Sequence, residues 1–154
     1  IMQRMIQKWS LIKVQLGADS KIKDLYSKRI DLVKINKGGL NDMHEYSTKP
    51  IFYKFLEYEP FKTVEDTNKY LNKLIKHSDS ETGHYWFIKL NREKKIIGTF
   101  GLLDIDKRKG ATEIGYGISP DYWGGGYFKE ALLTVLRYLD ILILYIFYIY
   151  SLHH

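Results

Sequence analysis

Apolar residues recur every three or four positions between Thr63 and His77, which is the spacing that forms one face of an α-helix. The helix is predicted to begin at Thr63, whose hydroxyl can cap the first turn while Asp66 reaches back from the third helical position. The apolar stripe consists of Val64, Thr67, Tyr70, Leu71, Leu74 and Ile75. We therefore predict an amphipathic helix that buries this stripe.

Further along the chain, apolar residues alternate or run together, which is typical of partly and fully buried strands. Tyr85–Leu90 and Ile96–Leu103 are two such segments. Ile141–Tyr150 (ILILYIFYIY) is almost wholly apolar and aromatic. It is too short for a membrane-spanning helix, which needs roughly 20 apolar residues, and its composition favours a buried strand. Because such a segment aggregates unless it is paired, association into a homo-oligomer, such as a dimer, is expected.

The N-terminal residues do not resemble a secretory signal, because Lys13 interrupts the apolar run too early. An apolar set at helical spacing instead predicts a short amphipathic helix docked on the body of the protein. This set consists of Met2, Met5, Ile6 and Trp9.

Composition narrows the class of protein but not its partner. A chain of 154 residues with 45% hydrophobic and 27% charged residues is typical of one folded domain. The absence of cysteine excludes disulfides, thiolate catalysis and cysteine-based zinc sites, and it fits the cytoplasm. The net charge of +6 favours an anionic partner, for which nucleic acid, anionic lipid and the phosphates of coenzyme A all qualify.

The segment Glu113–Ala131 (EIGYGISPDYWGGGYFKEA) carries the most specific pattern in the chain. It predicts a strand, a turn at Ser119 and Pro120, three glycines, and a helix that starts near Tyr127. Glycines allow the backbone to approach an anion closely, and the free N–H groups of a helix N-terminus favour negative charge. The segment therefore predicts a phosphate-binding site.

This segment resembles the acetyl-CoA-binding core of the GNAT N-acetyltransferases, in particular the branch related to the ribosomal-protein alanine acetyltransferases. The pattern of that branch is approximately E-I-G-Y-x-h-x-P-x-x-W-G-x-G-Y-x-x-E-A, where h is apolar. The matching residues are Glu113, Ile114, Gly115, Tyr116, Pro120, Trp123, Gly124, Gly126, Tyr127, Glu130 and Ala131. Upstream, Ser27–Ile35 is similar to the family's first strand, Asn41–Tyr46 and Thr63–His77 to its next two helices, and Tyr85–Leu103 to a hairpin with a turn at Asn91–Lys94.

The resemblance implies an α+β fold with a mixed, mostly antiparallel central sheet flanked by helices. It implies a single domain over residues 26–154, preceded by an extension, residues 1–25, of unknown role. The family continues beyond the ILILYIFYIY strand with a helix and two strands that have no counterpart here. Three explanations are open: truncation or a frameshift near residue 140, strands supplied by a partner chain, or a reduced, non-catalytic relative.

The resemblance also implies acetyl-CoA as the co-substrate. Backbone groups around Ile118 and Ser119 are expected to pair with the pantetheine arm, and an N–H near Gly117 or Ile118 to polarise the thioester carbonyl. The N–H groups from Gly124 to Lys129 are expected to hold the pyrophosphate. The implied cofactor-binding residues are Ile118, Ser119, Trp123, Gly124, Gly125, Gly126, Tyr127, Phe128 and Lys129.

Side chains near the glycines are expected to affect phosphate binding in opposite ways. Phe128 stands where the family usually has a small residue, and a ring there is expected to crowd the backbone against the pyrophosphate. Lys129 and Arg108 are expected to help neutralise the phosphates.

Glu113 is the candidate general base. On an extended strand it shares one face with Gly115 and Gly117, and these glycines leave space for a substrate amine and an ordered water. Alternatively, Glu113 is solvated or paired with a lysine or arginine on a neighbouring strand. Many family members use a tyrosine beyond the fifth strand as general acid, and no residue of this chain matches it.

Three aromatic residues are candidates for the acceptor slot: Tyr53 and Phe55, from the loop that usually covers the acceptor in this fold, and Trp86. Packing in the core is the alternative for all three. No histidine has metal-ligand spacing, so no metal site is predicted.

The leading functional hypothesis is an acetyl-CoA-dependent N-acetyltransferase that acts on a primary amine, either a protein N-terminus or a small molecule. The alternative is a non-catalytic acyl-CoA-binding or association module with the same fold. A nucleic-acid-binding domain ranks last, because lysine and arginine are spread along the chain and no nucleic-acid-binding motif is present. Membrane association is not expected.

Overall fold

A computed structural model describes residues 23–54, 59–106, 108–109 and 111–139 of the chain. The strands are β1 (Leu25–Tyr26), β2 (Ile30–Lys34), β3 (His84–Leu90), β4 (Ile96–Asp106) and β5 (Ala111–Ile118). The helices are α1 (Leu40–Ser47), α2 (Val64–Ser78) and α3 (Tyr127–Tyr138). The predicted N-terminal helix and the predicted strand Ile141–Tyr150 lie outside the described residues.

The five described strands form one sheet in the order β1-β2-β3-β4-β5, and every neighbouring pair is antiparallel. This confirms the predicted α+β fold with an antiparallel central sheet flanked by helices. The sheet begins at Leu25, which pairs with Leu32, and Lys34 N donates to Asp24 Oδ1 at 2.7 Å. The last residues of the predicted N-terminal extension are therefore packed on the described domain.

Each face of the sheet carries its own apolar core. Helix α3 packs on one face, whose fully buried side chains include Ile30, Leu32, Trp86, Ile88, Phe100 and Val135. Helices α1 and α2 pack on the other face, whose buried side chains include Met43, Tyr46, Leu71, Leu74 and Phe87. Because both faces are covered, β3 is apolar at nearly every position and does not alternate.

The predicted start of α2 is confirmed by a complete capping box. Asp66 N donates to Thr63 Oγ1 at 3.1 Å, and Thr63 N donates to Asp66 Oδ2 at 3.0 Å. Of the predicted stripe, Val64 is 48% exposed rather than buried. It occupies the first helical position, at the rim of the helical layer, before α2 reaches the sheet. Within the described segments, no helix has the length and apolarity needed to cross a bilayer.

His84 is a buried histidine at the start of β3 that forms no salt bridge with the described residues, although Asp24 and Asp79 partly oppose the lowering of its pKa. It is 4% exposed, its Nδ1 lies 3.3 Å from Ser78 Oγ, and its Nε2 has no hydrogen-bond partner. Burial, assisted by the positive charge of Lys34, lowers the pKa of His84 from 6.5 to about 4.

We expect this histidine to make the protein less stable in acid. Between about pH 6.5 and pH 4 the unfolded chain binds a proton at His84 that the folded chain does not. The free energy of unfolding should fall through this window by on the order of 3 kcal/mol. Urea unfolding at pH 7 and pH 4.5 measures the loss, and His84→Phe should reduce it. Equal losses in the two proteins would contradict the prediction.

Candidate active site

The direction of the backbone groups on β5 is fixed by its pairing with β4. Ser119 N donates to Ile97 O at 2.7 Å, and the register aligns Ile118 with Gly98 and Gly117 with Thr99. Because N–H and C=O groups alternate sides along a strand, the N–H and C=O groups of residues 113, 115, 117 and 119 point toward β4. Those of residues 114, 116 and 118 point to the opposite edge, where the described part of the sheet ends.

This alternation corrects part of the predicted pantetheine contacts. The N–H groups of Gly117 and Ser119 belong to the β4 ladder, and the carbonyl of Ile118 accepts a hydrogen bond from Trp123 Nε1 at 2.7 Å. The N–H groups of Ile114, Tyr116 and Ile118 face the side of β5 on which no described strand pairs with it. The indole of Trp123 thus donates a hydrogen bond to the Ile118 carbonyl, a group that was expected from the sequence to pair with the pantetheine arm.

After β5 and a short 3₁₀ turn, Gly124–Gly126, which we call the glycine loop, leads into α3. Gly124 and Gly126 have φ values of 75° and 78°, which favour glycine. Gly126 is the N-cap of α3, and Glu130 N is the first donor to the helix ladder, to Gly126 O at 3.0 Å. Among the described residues, no acceptor takes up the N–H groups from Gly126 to Lys129, as expected at a helix N-terminus.

The start of α3 is fastened to the turn between β1 and β2. Glu130 Oε1 accepts hydrogen bonds from Ser27 Oγ at 2.7 Å and from Arg29 N at 2.8 Å, and Glu130 Oε2 lies 2.6 Å from Arg29 Nε. Burial alone would raise the pKa of Glu130, but these donors outweigh it and hold the pKa below its ordinary value. Glu130 is therefore an ionised link between α3 and the far edge of the sheet.

Phe128 does not crowd this site, contrary to the expectation from sequence. Its ring stacks on Tyr116, with centroids 3.9 Å apart and planes inclined by 22°, and lies 6.2 Å from the ring of Phe100. The ring is thus directed at the sheet, because α3 turns this position toward the core. The same burial raises the pKa of Tyr116, which keeps its phenol neutral.

Glu113 lies on β5, opposite Leu103 of β4, and is half-buried. Among the described residues its carboxylate has no hydrogen-bond or salt-bridge partner, so the alternative of a pairing with lysine or arginine finds no support there. Helices α1 and α2 pack mainly on β3 and β4, so neither of these two helices covers this face of β5.

Tyr85 also lines this face, which the sequence did not indicate. Gly101 pairs with Gly115, and a Cβ on Gly101 would lie 2.4 Å from Tyr85 Cε1. The ring of Tyr85 therefore covers Gly101, the residue of β4 that pairs with Gly115. A small residue at position 101 is required for that ring to lie against the sheet.

A family model described as the acetyltransferase (GNAT) domain matches residues 29–150 of the chain. The chain belongs to the GNAT acetyltransferase family. This GNAT chain is 26% identical over 114 residues to the uncharacterized N-acetyltransferase p20 of Bacillus licheniformis, a match that covers 74% of the chain and 64% of p20. It therefore spans less than two thirds of that relative.

Solved structures share the GNAT fold. The Microcin C7 self-immunity acetyltransferase MccE, in complex with acetyl-CoA and AMP, superposes with a TM-score of 0.65 at 19% identity, covering 73% of this chain and 63% of MccE. RimL, a ribosomal L7/L12 alpha-N-protein acetyltransferase in complex with coenzyme A, superposes with a TM-score of 0.66 at 16% identity, covering 75% of this chain and 67% of RimL. At these identities the likeness establishes the fold.

Two predicted substrate contacts of this GNAT domain need correction, because both side chains lie in the core. Trp86 is completely buried between the sheet and α3, and its Nε1 donates to Lys23 O at 2.9 Å. Tyr53 is 5% exposed and donates its hydroxyl to Ser47 O at 2.7 Å, and burial raises its pKa to about 12. Neither presents a surface to a ligand. Phe55 lies outside the described residues.

The two basic residues expected near the phosphates lie at opposite ends of β5. Lys129 is exposed on the first turn of α3, beside the glycine loop. Arg108 lies in the β4–β5 connection, where its N–H donates to Asp106 Oδ1, so eight residues of strand, roughly 23 Å, separate it from the loop. Arg108 is therefore too far away to neutralise an anion there. In the described part of the GNAT domain, no group of three or more acidic or histidine side chains could hold a metal ion.

Proposed function

We propose that this chain binds acetyl-CoA and belongs to an N-acetyltransferase that acts on a primary amine. The observation that supports the proposal most is the glycine loop, in which four successive N–H groups, from Gly126 to Lys129, have no acceptor among the described residues and lie at the positive end of α3. A pyrophosphate fits this set of donors, because Phe128 is directed into the core and Gly124 has no atom within 4 Å of a Cβ position.

The rest of the cofactor would lie along the edge of β5 at which the described part of the sheet ends. When bound, acetyl-CoA supplies an acetyl group as an activated thioester. The N–H groups of Tyr116 and Ile114 point to the same edge as that of Ile118 and are available to hydrogen-bond to a ligand. This edge leads from the glycine loop toward the residue proposed to handle the proton.

Strand length decides which N–H group can act together with Glu113. Ile118 lies five residues beyond Glu113, about 17 Å along the strand. A base and a carbonyl-polarising donor must both lie close to the reacting atoms, within about 3 Å. We therefore assign the thioester end to the N–H groups of Ile114 and Tyr116, and the Ile118 N–H to the pantetheine arm.

Glu113 would accept the proton of the attacking ammonium, directly or through a water. Its carboxylate has no partner among the described residues and lies on the face of β5 that helices α1 and α2 leave uncovered. The ring of Tyr85 would border the acceptor on the adjacent strands. In this proposal the Glu113 side chain accepts the proton of the amine, and backbone N–H groups of β5 hydrogen-bond to the thioester carbonyl oxygen.

An acidic groove supports a cationic amine as the acceptor. It lies at the end of the β4–β5 hairpin nearest Glu113, and its lining includes three carboxylates and one guanidinium. These residues are Glu81, Asp104, Asp106 and Arg108. Arg108 and Lys109, whose Nζ lies 4.0 Å from Asp106 Oδ2, offset two of the three negative charges, and the remaining one would attract an ammonium group. We also expect a cytoplasmic location and association into a homo-oligomer, as proposed from the sequence.

Calorimetric titration of the 154-residue chain with acetyl-CoA tests the proposal, with dephospho-CoA and ATP as comparison ligands. We expect saturable binding of acetyl-CoA and weaker binding of ATP, which lacks the pantetheine arm. Dephospho-CoA should also bind, because it retains the pyrophosphate that the glycine loop is proposed to hold. A folded sample that binds none of the three would contradict the proposal. Binding without release of free CoA in the presence of any primary amine would favour the non-catalytic acyl-CoA-binding module.

A further inference from the structure

Arg29, on the turn between β1 and β2, contacts the glycine loop from the side of the sheet. Its Nη1 donates to Gly125 O at 2.9 Å, and its guanidinium carbon lies 4.3 Å from the centroid of the Tyr127 ring. Its Nε pairs with Glu130 Oε2 at 2.6 Å. One guanidinium thus joins the loop, the first residue of α3 and the helix carboxylate.

The bond to Gly125 O determines where the next N–H group points. In a trans peptide the C=O and N–H groups lie in one plane and point in opposite directions, and the described residues contain no cis peptide. Because Gly125 O points at Arg29, the N–H of Gly126 points away from it. That N–H belongs to the set of donors at the start of α3 for which the described part of the chain provides no acceptor.

A peptide between two glycines needs such a restraint. Glycine adopts positive and negative φ at similar cost, so the Gly125–Gly126 peptide can rotate with little steric penalty. A rotated peptide would present a carbonyl oxygen to an anion in place of an N–H group. A charge-assisted hydrogen bond from Arg29 to Gly125 O favours the orientation that presents the N–H.

The turn that carries Arg29 is itself held firmly. Ser27 N donates to Ile30 O at 3.0 Å within the turn, and Asn91 N donates to Arg29 O at 3.0 Å from the β3–β4 turn. Asn91 Nδ2 also donates to Lys28 O at 3.1 Å. Arg29 is therefore attached to a fixed part of the sheet, which can transmit its position to the loop.

Charge alone does not account for this arrangement, because Glu130 pairs with Arg29 and offsets its charge. The planar guanidinium of Arg29 explains the arrangement, since its Nε donates to Glu130 and its Nη1 donates to Gly125 O at a fixed relative geometry. A lysine would keep the charge but could not hold both acceptors in this geometry.

We propose that Arg29 is a positioning residue that holds the Gly125–Gly126 peptide with its N–H directed at the pyrophosphate of acetyl-CoA. This inference rests on the proposed function, in which the glycine loop receives that pyrophosphate. Arg29 acts through the loop and not on the reacting atoms.

The test compares wild type with Arg29→Lys, and uses Arg92→Lys, an exposed arginine of the β3–β4 turn, as the matched control. We expect Arg29→Lys to bind acetyl-CoA roughly tenfold more weakly, as for the loss of one charged hydrogen bond, and S-acetyl-pantetheine, which lacks the pyrophosphate, with unchanged affinity. In the free protein, residual dipolar couplings should show that the Gly126 N–H vector changes direction or averages in Arg29→Lys alone.

Each other outcome is informative. Equal acetyl-CoA affinity in wild type and Arg29→Lys would overturn the inference and leave the proposed function standing. Equal losses for acetyl-CoA and S-acetyl-pantetheine would indicate general damage and would also overturn it. Wild type that binds neither ligand would refute the proposed function and the role assigned to the loop, while an unchanged Gly126 coupling in Arg29→Lys would refute the positioning itself.

Discussion

Replacing Glu113 by glutamine should lower the turnover of acetyl transfer by about 10²- to 10⁴-fold at neutral pH, the usual effect of removing a general base. Glutamine keeps the shape of the side chain but cannot accept the proton of the attacking ammonium. The affinity for acetyl-CoA should not change, because the residues proposed to hold the pyrophosphate lie at the other end of β5. The measurement is the release of free CoA with the best acceptor from a panel of primary amines.

The pH profile adds a second readout for Glu113→Gln. Above the pKa of the substrate amine the nucleophile is already deprotonated, so the deficit of the variant should shrink as the pH rises. Glu93→Gln, in the exposed β3–β4 turn, is the control and should match wild type. If Glu113→Gln turns over as fast as wild type at neutral pH, the base is a different group.

Truncating Trp86 to alanine should lower the free energy of unfolding by about 3–5 kcal/mol, the usual cost of removing a buried aromatic side chain. The indole is completely buried, lies 4.4 Å from the ring of His84 and 6.3 Å from that of Phe100, and donates to Lys23 O. Its loss leaves a cavity between the sheet and α3. Urea denaturation monitored by circular dichroism measures the change.

A surface residue of similar type provides the control for Trp86→Ala. Tyr26 is 71% exposed on β1, and Tyr26→Ala should change the free energy of unfolding by no more than about 0.5 kcal/mol. Trp86→Phe, a smaller change, should keep the fold and leave the KM for the amine unchanged. A raised KM at unchanged stability would instead support Trp86 as a residue of the acceptor slot.

Local patterns in the sequence were sufficient to predict those elements whose structure depends mainly on residues within the same segment. The stripe and the capping box predict α2, and the glycine run between a strand and a helix predicts the loop and the start of α3 at Tyr127. Strand β5 ends at Ile118, immediately before the turn predicted at Ser119 and Pro120. In each case the periodicity and the turn residues lie within the segment itself.

Features that depend on packing between distant segments were not predictable. Strand β3 is apolar on both faces, so its pattern does not say whether Trp86 points to a ligand or to a core. The direction of Phe128 depends on how α3 is rotated against Tyr116, which no local pattern encodes. Arg29 and Glu130 are 101 residues apart, and nothing in either segment indicates the other.

The same separation has a consequence for how the domain folds. Each described strand pairs with its predecessor in the chain, and every connection is short except that between β2 and β3, which contains α1 and α2. The contact between Arg29 and Glu130 instead closes a loop of 101 residues, which costs roughly 2–3 kcal/mol more chain entropy than a tight hairpin. The contact between Arg29 and Glu130 should therefore form only after the intervening strands have paired, because their pairing shortens the effective loop and lowers the free-energy cost of closing it. On this reasoning, the glycine loop is among the last parts of the domain to be organised, and a chain competent to bind acetyl-CoA is one that has completed its sheet.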